Sequence, residues 1–276
     1  MSYTNIRTLL AVVLLVIVLI IAALRYHEAF IQPTNEAALQ ETINGEISIV
    51  GNEILLPLPR KMTNMSVEEA ILLRRSIRDY TNEPLTINEL SMILWAAQGI
   101  TNTQYKFRAA PSAGATYPLE LYVVIGNNSV VIDNGHLPAG VYKYNPYQHS
   151  LVLKRSGDYR KALYKVGLEQ RWILEAPVNI VICAIYERTT KIYGERGIRY
   201  VHMEVGHVGQ SIYLMTTALR LGTVVIGAFH DREVALVINA EENEQPLYIM
   251  PIGKPQQFPQ TSFREINNFY SQQRGT

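Results

Sequence analysis

Arg74, Arg75, Ser76 and Arg78 place three guanidinium groups and a hydroxyl within five residues, in the segment RRSIRDY. Guanidinium forks match phosphate oxygens through paired hydrogen bonds, so this cluster suits a phosphate monoester. Taken alone it reads equally well as a solvated basic face. A second segment, APSAGATYP, sets Pro111, Ser112, Ala113 and Gly114 in a loop of small residues that lets backbone approach a flat ligand closely. A plain turn would have the same composition. In a third, VVIGAF, Gly227 follows Ile226 at the end of an apolar run, a position from which main-chain amides can face a ring. A flavin asks for little more than phosphate grip, backbone donors and a stacking surface, because its ring carries the electrons. No G-x-G-x-x-G follows a strand and no Walker sequence is present, so FMN is preferred over FAD or NAD.

Other chemistries fit less well. His202, Glu204 and His207 share a helical stretch, but histidines five apart are rotated by about 140° and cannot hold one ion from the same face. Glu204 and His207 could meet; hydrogen bonding on a helix surface or interface is the simpler reading, and no metal is expected. Acyl transfer lacks a G-x-S-x-G elbow, and Ser112 has no identifiable base. Cys183 is the only cysteine and lies in the apolar run VNIVICAIY, which excludes an internal disulfide and suggests core packing. With a net charge of +1, the chain has no general electrostatic footprint for nucleic acid.

These segments need elements to position them. SVEE at Ser66–Glu69 and TINE at Thr86–Glu89 are capping boxes, opening one helix through about Leu73 and another that stops at Gly99. LELYVVIG reads as a strand and GVYKYNPYQHSLVL as a hairpin around Asn-Pro. A helix capped by Asp158, a strand from Val178 to Tyr186 and a long helix from about Arg199 to Leu219 follow. TVVIGAF predicts another strand, Asp231 caps a short helix, PLYIMPIG is a last strand, and about twenty polar residues form a tail. The pattern predicts an α+β fold, with one mixed, mostly antiparallel central sheet flanked by helices.

Leu9 to Leu24 is a run of sixteen apolar residues between Arg7 and Arg25. It is slightly short of the roughly 20 residues of a typical span, and snorkelling arginines can extend it. Having no polar face, it suits lipid better than a soluble core. Residues 1–25 are therefore expected to be an N-terminal transmembrane anchor or signal-anchor, 26–60 a linker and 61–276 the folded domain. A weak charge bias favours an extracytoplasmic domain.

Taken together, RRSIRDY, LSMILWAAQGIT, APSAGATYPLELYVV, GVYKYNPYQHSL, ERTTKIYGERGIRYVHMEVGH, LGTVVIGAF and PLYIMPIGKP resemble the nitroreductase-like flavoproteins, specifically their SagB-type branch, from about Ser66 to Pro255. The resemblance implies a homodimer with two FMN sites at the subunit interface. It also implies ping-pong chemistry between a small-molecule electron donor and an acceptor. Arg74, Arg75, Ser76 and Arg78 match the family's phosphate and ribityl contacts. Pro111, Ser112, Ala113 and Gly114 match the loop that reaches the ring from the partner subunit, and Ile226 and Gly227 the backbone pair facing the hydride-accepting nitrogen. Lys254 stands where the family often has a basic phosphate contact.

Two departures qualify the match. Ordinary nitroreductases carry asparagine where Ala115 stands, which favours the SagB-type branch. Azoline-oxidising members use an adjacent Lys-Tyr pair, whereas here Lys191 and Tyr193 are separated by Ile192. That displacement argues against azoline oxidation on a peptide and leaves Tyr193 as a candidate proton donor. A membrane-tethered flavin-binding module without turnover is the non-enzymatic alternative.

Overall fold

The computed structural model describes residues 47–275, so the expected anchor (1–25) and most of the expected linker lie outside the described residues. Among the described residues no helix is long and apolar enough to cross a membrane. The end of the expected linker is part of the domain. Strands β1 (Ser48–Val50) and β2 (Glu53–Leu55) form a hairpin at the edge of the main sheet, and Ile54 and Leu56 are buried. Two buried apolar side chains so close together anchor a segment that its prolines alone suggest is a tether.

Helix α1 (Val67–Leu73) starts at its capping box, with Glu69 N–H donating to Ser66 Oγ at 3.2 Å. The two-residue β3 (Leu85–Thr86) leads into α2 (Ile87–Gln98), whose box is formed by Thr86 and Glu89. Strand β4 (Leu119–Ile125) is followed by short β5 (Val130–Ile132) and β6 (Gly135–His136). The predicted hairpin is β7 (Gly140–Asn145) with β8 (Ser150–Ser156). Helices α3 (Arg160–Val166) and α4 (Arg171–Glu175) lead to β9 (Val178–Ala184), then α5 (Glu187–Tyr193) and the 23-residue α6 (Arg196–Ala218). The chain continues through β10 (Gly222–Thr223), α7 (Asp231–Ile238), β11 (Gln245–Gly253) and α8 (Phe263–Arg274).

The main sheet has the order β1-β2-β8-β7-β4-β9-β11-β10, and its neighbours pair antiparallel throughout. The parallel pairing among the named strands, β3 with β5, belongs to a separate three-stranded sheet. Both faces of the centre are covered, which is why β4 and β9 read as unbroken apolar runs. Leu121, Val123, Ile180 and Ile182 pack toward α2 and α6, while Tyr122, Val124, Val181 and Cys183 pack with residues of α3, α4 and α7. Cys183 is a buried core residue.

The expected caps shift: Asp231 is the first residue of α7, behind His230, and Tyr159 rather than Asp158 is the N-cap of α3. Two larger expectations change as well. TVVIGAF is not a continuous strand: only Gly222 and Thr223 join the sheet in register, and Ile226 returns for a single bridge to Ile249. Thr223 also bridges to Ser76, and Ile77 fits so close to Gly222 that a Cβ there would lie 2.7 Å away. Beyond Gly222 and Thr223 the stretch leaves β11, and the Val225 N–H bonds the Tyr213 hydroxyl at 2.9 Å. The polar tail is partly helical, because Ser262 and Glu265 form a third capping box at the start of α8. With no buried residue, α8 lacks the apolar stripe that marks a helix in sequence.

His149 illustrates how the first turn after β7 is fixed. Its Nδ1 meets the Tyr144 hydroxyl at 2.8 Å and its Nε2 meets Ser91 Oγ, also at 2.8 Å, while Ser91 donates to the Pro57 carbonyl at 2.6 Å. Burial holds the imidazole down to about 4, against about 6.5 in an unfolded chain. The folded state therefore binds this proton less readily than the unfolded state. Its contribution to stability is present above pH 6.5 and is lost as pH falls toward 4. Thermal melts of His149→Asn should show a flatter dependence on pH between 6.5 and 4 than the wild type. Equal slopes would contradict this assignment.

Candidate functional site

Arg75, Ser76 and Arg78 line an open cleft of about 620 Å³, together with Gln256 and Phe258. Arg75 Nη1 donates to the carbonyls of Leu72 and Arg74 at 2.9 and 2.8 Å, and the Arg78 guanidinium lies over the Trp172 ring at 5.5 Å. Arg74 separates from them and stacks on Tyr213 at 5.2 Å. Among the described residues no carboxylate forms an ion pair with Arg74, Arg75 or Arg78, although neighbouring Asp79 pairs with Arg171. Two arginines in one cleft, Arg75 and Arg78, without a neutralising carboxylate are suited to an anionic ligand. Lys254 does not face this cleft; its Nζ pairs with Glu83 at 3.1 Å.

The Tyr213 hydroxyl joins two predicted pieces. It lies 2.9 Å from Ser76 Oγ and accepts the Val225 N–H at 2.9 Å. The arginine segment and the 223–227 stretch are therefore neighbours. Within the predicted backbone pair the roles divide, because Ile226 N–H donates to the Ile249 carbonyl at 2.9 Å. Gly227 is exposed, and its amide has no partner among the described residues, so it is the donor open to a ligand.

The small loop is built at the other end of α6. Ser112 Oγ accepts the Tyr117 N–H at 2.9 Å, and Ala113–Ala115 form a single 3₁₀ turn with Gly114 at φ +60°. A Cβ on Gly114 would sit 2.7 Å from the Tyr193 hydroxyl. Tyr193, packed edge-on against Tyr200 at 5.1 Å, thus reaches the loop. Lys191, two residues earlier on α5, is exposed and is not brought into that contact. Side chains two apart on a helix point in nearly opposite directions.

Beneath the loop lies a buried polar group whose role sequence reasoning missed. Glu204 is 2% exposed, and its Oε1 has no hydrogen-bond partner. Burial pushes its carboxyl up to about 7, against the opposing pull of Ser112, Arg108 and Gln98. The signal was available: Val201, Glu204, Val205 and Val208 form one buried stripe of α6, and a carboxylate on such a stripe requires explanation. His202 bonds the Tyr186 hydroxyl at 2.7 Å. Among the described residues no group of three or more His, Cys, Asp or Glu side chains could hold a metal ion.

The nitroreductase family model matches residues 71–254, spanning both ends of this arrangement. The chain belongs to the nitroreductase family. A nitroreductase-type protein of Methanocaldococcus jannaschii is 45% identical over 205 residues, covering 74% of this chain and 98% of that relative. Trifolitoxin operon protein TfxC of Rhizobium leguminosarum bv. trifolii is 27% identical over 209 residues, covering 70% of this chain and 57% of its own length. The crystal structure of a nitroreductase-type protein from Ralstonia eutropha superposes with a TM-score of 0.64 at 27% identity, over 77% of this chain and 94% of that one. As a nitroreductase-family protein, this chain is an oxidoreductase and a flavoprotein.

Proposed function

We propose that the flavin is FMN and that the protein is a SagB-type, FMN-dependent oxidoreductase working as a homodimer. The observation that carries this reading is the unneutralised pair Arg75 and Arg78 around Ser76, which Tyr213 ties to the segment that ends in the open amide of Gly227. Arg75 and Arg78 would hold the phosphate, Ser76 the adjoining ribityl chain, and Gly227 N–H would face the ring. Bound there, FMN would supply two-electron chemistry between a donor and a small organic acceptor. The chain's own residues would bind and orient it.

The small loop would serve the site of the partner subunit. Ile192, Ile198 and Met203, on α5 and the first turns of α6, are large apolar side chains left exposed, which a second copy would cover. Similarity to a trifolitoxin operon protein supports the SagB-type assignment and keeps peptide azoline oxidation as the second reading. Against that second reading stands the divergence of Lys191 and Tyr193 from a common site.

Full-length protein should be yellow and release FMN on denaturation. Under anaerobic conditions its colour should bleach with a nicotinamide or quinol donor and return on adding an acceptor. A bound flavin that no donor bleaches would instead indicate a tethered module without turnover. The apolar run at 9–24 is proposed to anchor the domain on the outer side of the membrane. Labelling of an engineered surface cysteine in intact cells tests that placement, and labelling only after permeabilisation contradicts it.

A further inference from the structure

A second cavity, of about 500 Å³, opens where the small loop runs into β4, and it shares no lining residue with the arginine cleft. Its walls come from residues 115–117, the start of β4, the turn between β7 and β8, and α5. Four cations line it: Arg108, Lys143, Lys154 and Arg188. Three of them are neutralised. Lys143 pairs with Glu120 at 3.3 Å and with buried Glu244, Arg188 pairs with Glu120 at 2.6 Å, and Lys154 pairs with Glu241 at 2.7 Å. Glu120, the acid in the wall, thus has both carboxylate oxygens engaged. Among the described residues no carboxylate lies within ion-pair distance of Arg108, and Glu204 acts on it only from beyond that distance. The surplus positive charge of the cavity therefore sits on Arg108.

That guanidinium is held ready. Arg108 Nη1 donates to Gln98 Oε1 at 3.0 Å, and the backbone N–H of Arg108 donates to the Tyr117 hydroxyl at 3.1 Å. The rings of Tyr117 and Tyr147 flank the charge at 4.6 and 5.5 Å. Ring faces attract a cation without cancelling its charge. Tyr147 is 63% exposed although its backbone is fixed in the turn, where its N–H donates to Asn145 Oδ1 at 3.0 Å. We propose that this cavity is a second binding site, for a small aromatic monocarboxylate, with the carboxylate on Arg108 and the ring against Tyr147.

The chemistry of the walls selects this class. A planar carboxylate matches the guanidinium fork, and at half-buried Arg108 the pair is screened less than on an open surface. One surplus charge suits one negative charge. A dianion would have to draw Lys143 or Arg188 away from Glu120, and a cation would meet Arg108 with nothing to offset it. A neutral ring would gain only its contacts with Tyr147 and with the apolar Ala115, Pro146 and Val152. Pre-set donors and a fixed ring lower the ordering cost of binding.

Calorimetric titration of the full-length protein with benzoate, and with benzamide as its uncharged counterpart of the same shape, tests this. Benzoate should bind at least about tenfold more tightly than benzamide. Arg108→Gln should erase that preference, and Tyr147→Ala should weaken benzoate about fivefold. Arg75→Ala with Arg78→Ala should leave benzoate binding unchanged, because neither side chain lines the cavity. Circular dichroism checks the fold of Arg108→Gln. Should that variant unfold, Tyr147→Ala, which alters an exposed side chain, still decides. Benzoate affinity no better than that of benzamide overturns the proposal, as does a benzoate preference that survives Arg108→Gln or a Tyr147→Ala protein that binds like the wild type. Loss of benzoate binding in the Arg75/Arg78 variant would put the acid in the phosphate cleft and overturn it as well.

Discussion

Full-length protein carrying Arg75→Ala and Arg78→Ala together is expected to fold normally and emerge colourless. Both side chains are exposed, so their removal leaves the core untouched. Each guanidinium lost from a phosphate removes a charge-assisted interaction of about 1.5–3 kcal/mol, so the pair should weaken FMN binding roughly a hundredfold or more. Circular dichroism would check the fold and flavin absorbance the loading. Lys254→Ala serves as the contrast: because Lys254 is paired with Glu83 away from the cleft, loading should be nearly unchanged. A double variant that still purifies yellow would show that the phosphate is gripped elsewhere.

Gly114→Val should remove flavin binding by a different route. At φ +60° a β-branched side chain is strained before any contact is considered, and the first added carbon meets the Tyr193 hydroxyl at 2.7 Å. The loop must move or Tyr193 must be displaced. Either outcome disturbs the surface offered to a ring, whereas the core cluster behind it is untouched. Thermal unfolding should fall by a few degrees, while FMN affinity falls at least tenfold. Gly114→Val with Tyr193→Phe removes the clashing oxygen and should recover part of the affinity. A fully loaded Gly114→Val protein would show that this loop does not approach the cofactor.

The sequence made some of this site legible and hid the rest, for identifiable reasons. Capping boxes at Ser66 and Thr86 are local, and both appear as read. The apolar runs of β4 and β9 were equally visible, because burial on both faces leaves no polar alternation to misread. The third box, at Ser262, escaped notice because α8 buries nothing. The stretch leaves the sheet after Thr223, where the Val225 N–H goes to the Tyr213 hydroxyl of α6, a tertiary contact that nothing local announces. Among site residues, Arg75, Ser76 and Arg78 share one cleft as expected of a cluster so close in sequence. Arg74 and Lys254 do not join it, since their packing on Tyr213 and pairing with Glu83 are decided by tertiary neighbours. Tyr213 itself carries no sequence mark, because a tyrosine on a buried stripe reads as core until the partners of its hydroxyl are known.

The central claim is that one FMN is held by the arginines of one subunit and the small loop of the other. Differently tagged Arg75→Ala/Arg78→Ala and Gly114→Val chains, co-expressed and purified as mixed dimers, test it directly. In a mixed dimer one site combines both lesions, while the other combines intact arginines with an intact loop. The account predicts about one FMN per mixed dimer and almost none in either parent. Mixed dimers as colourless as their parents, beside a fully loaded wild type, would contradict it.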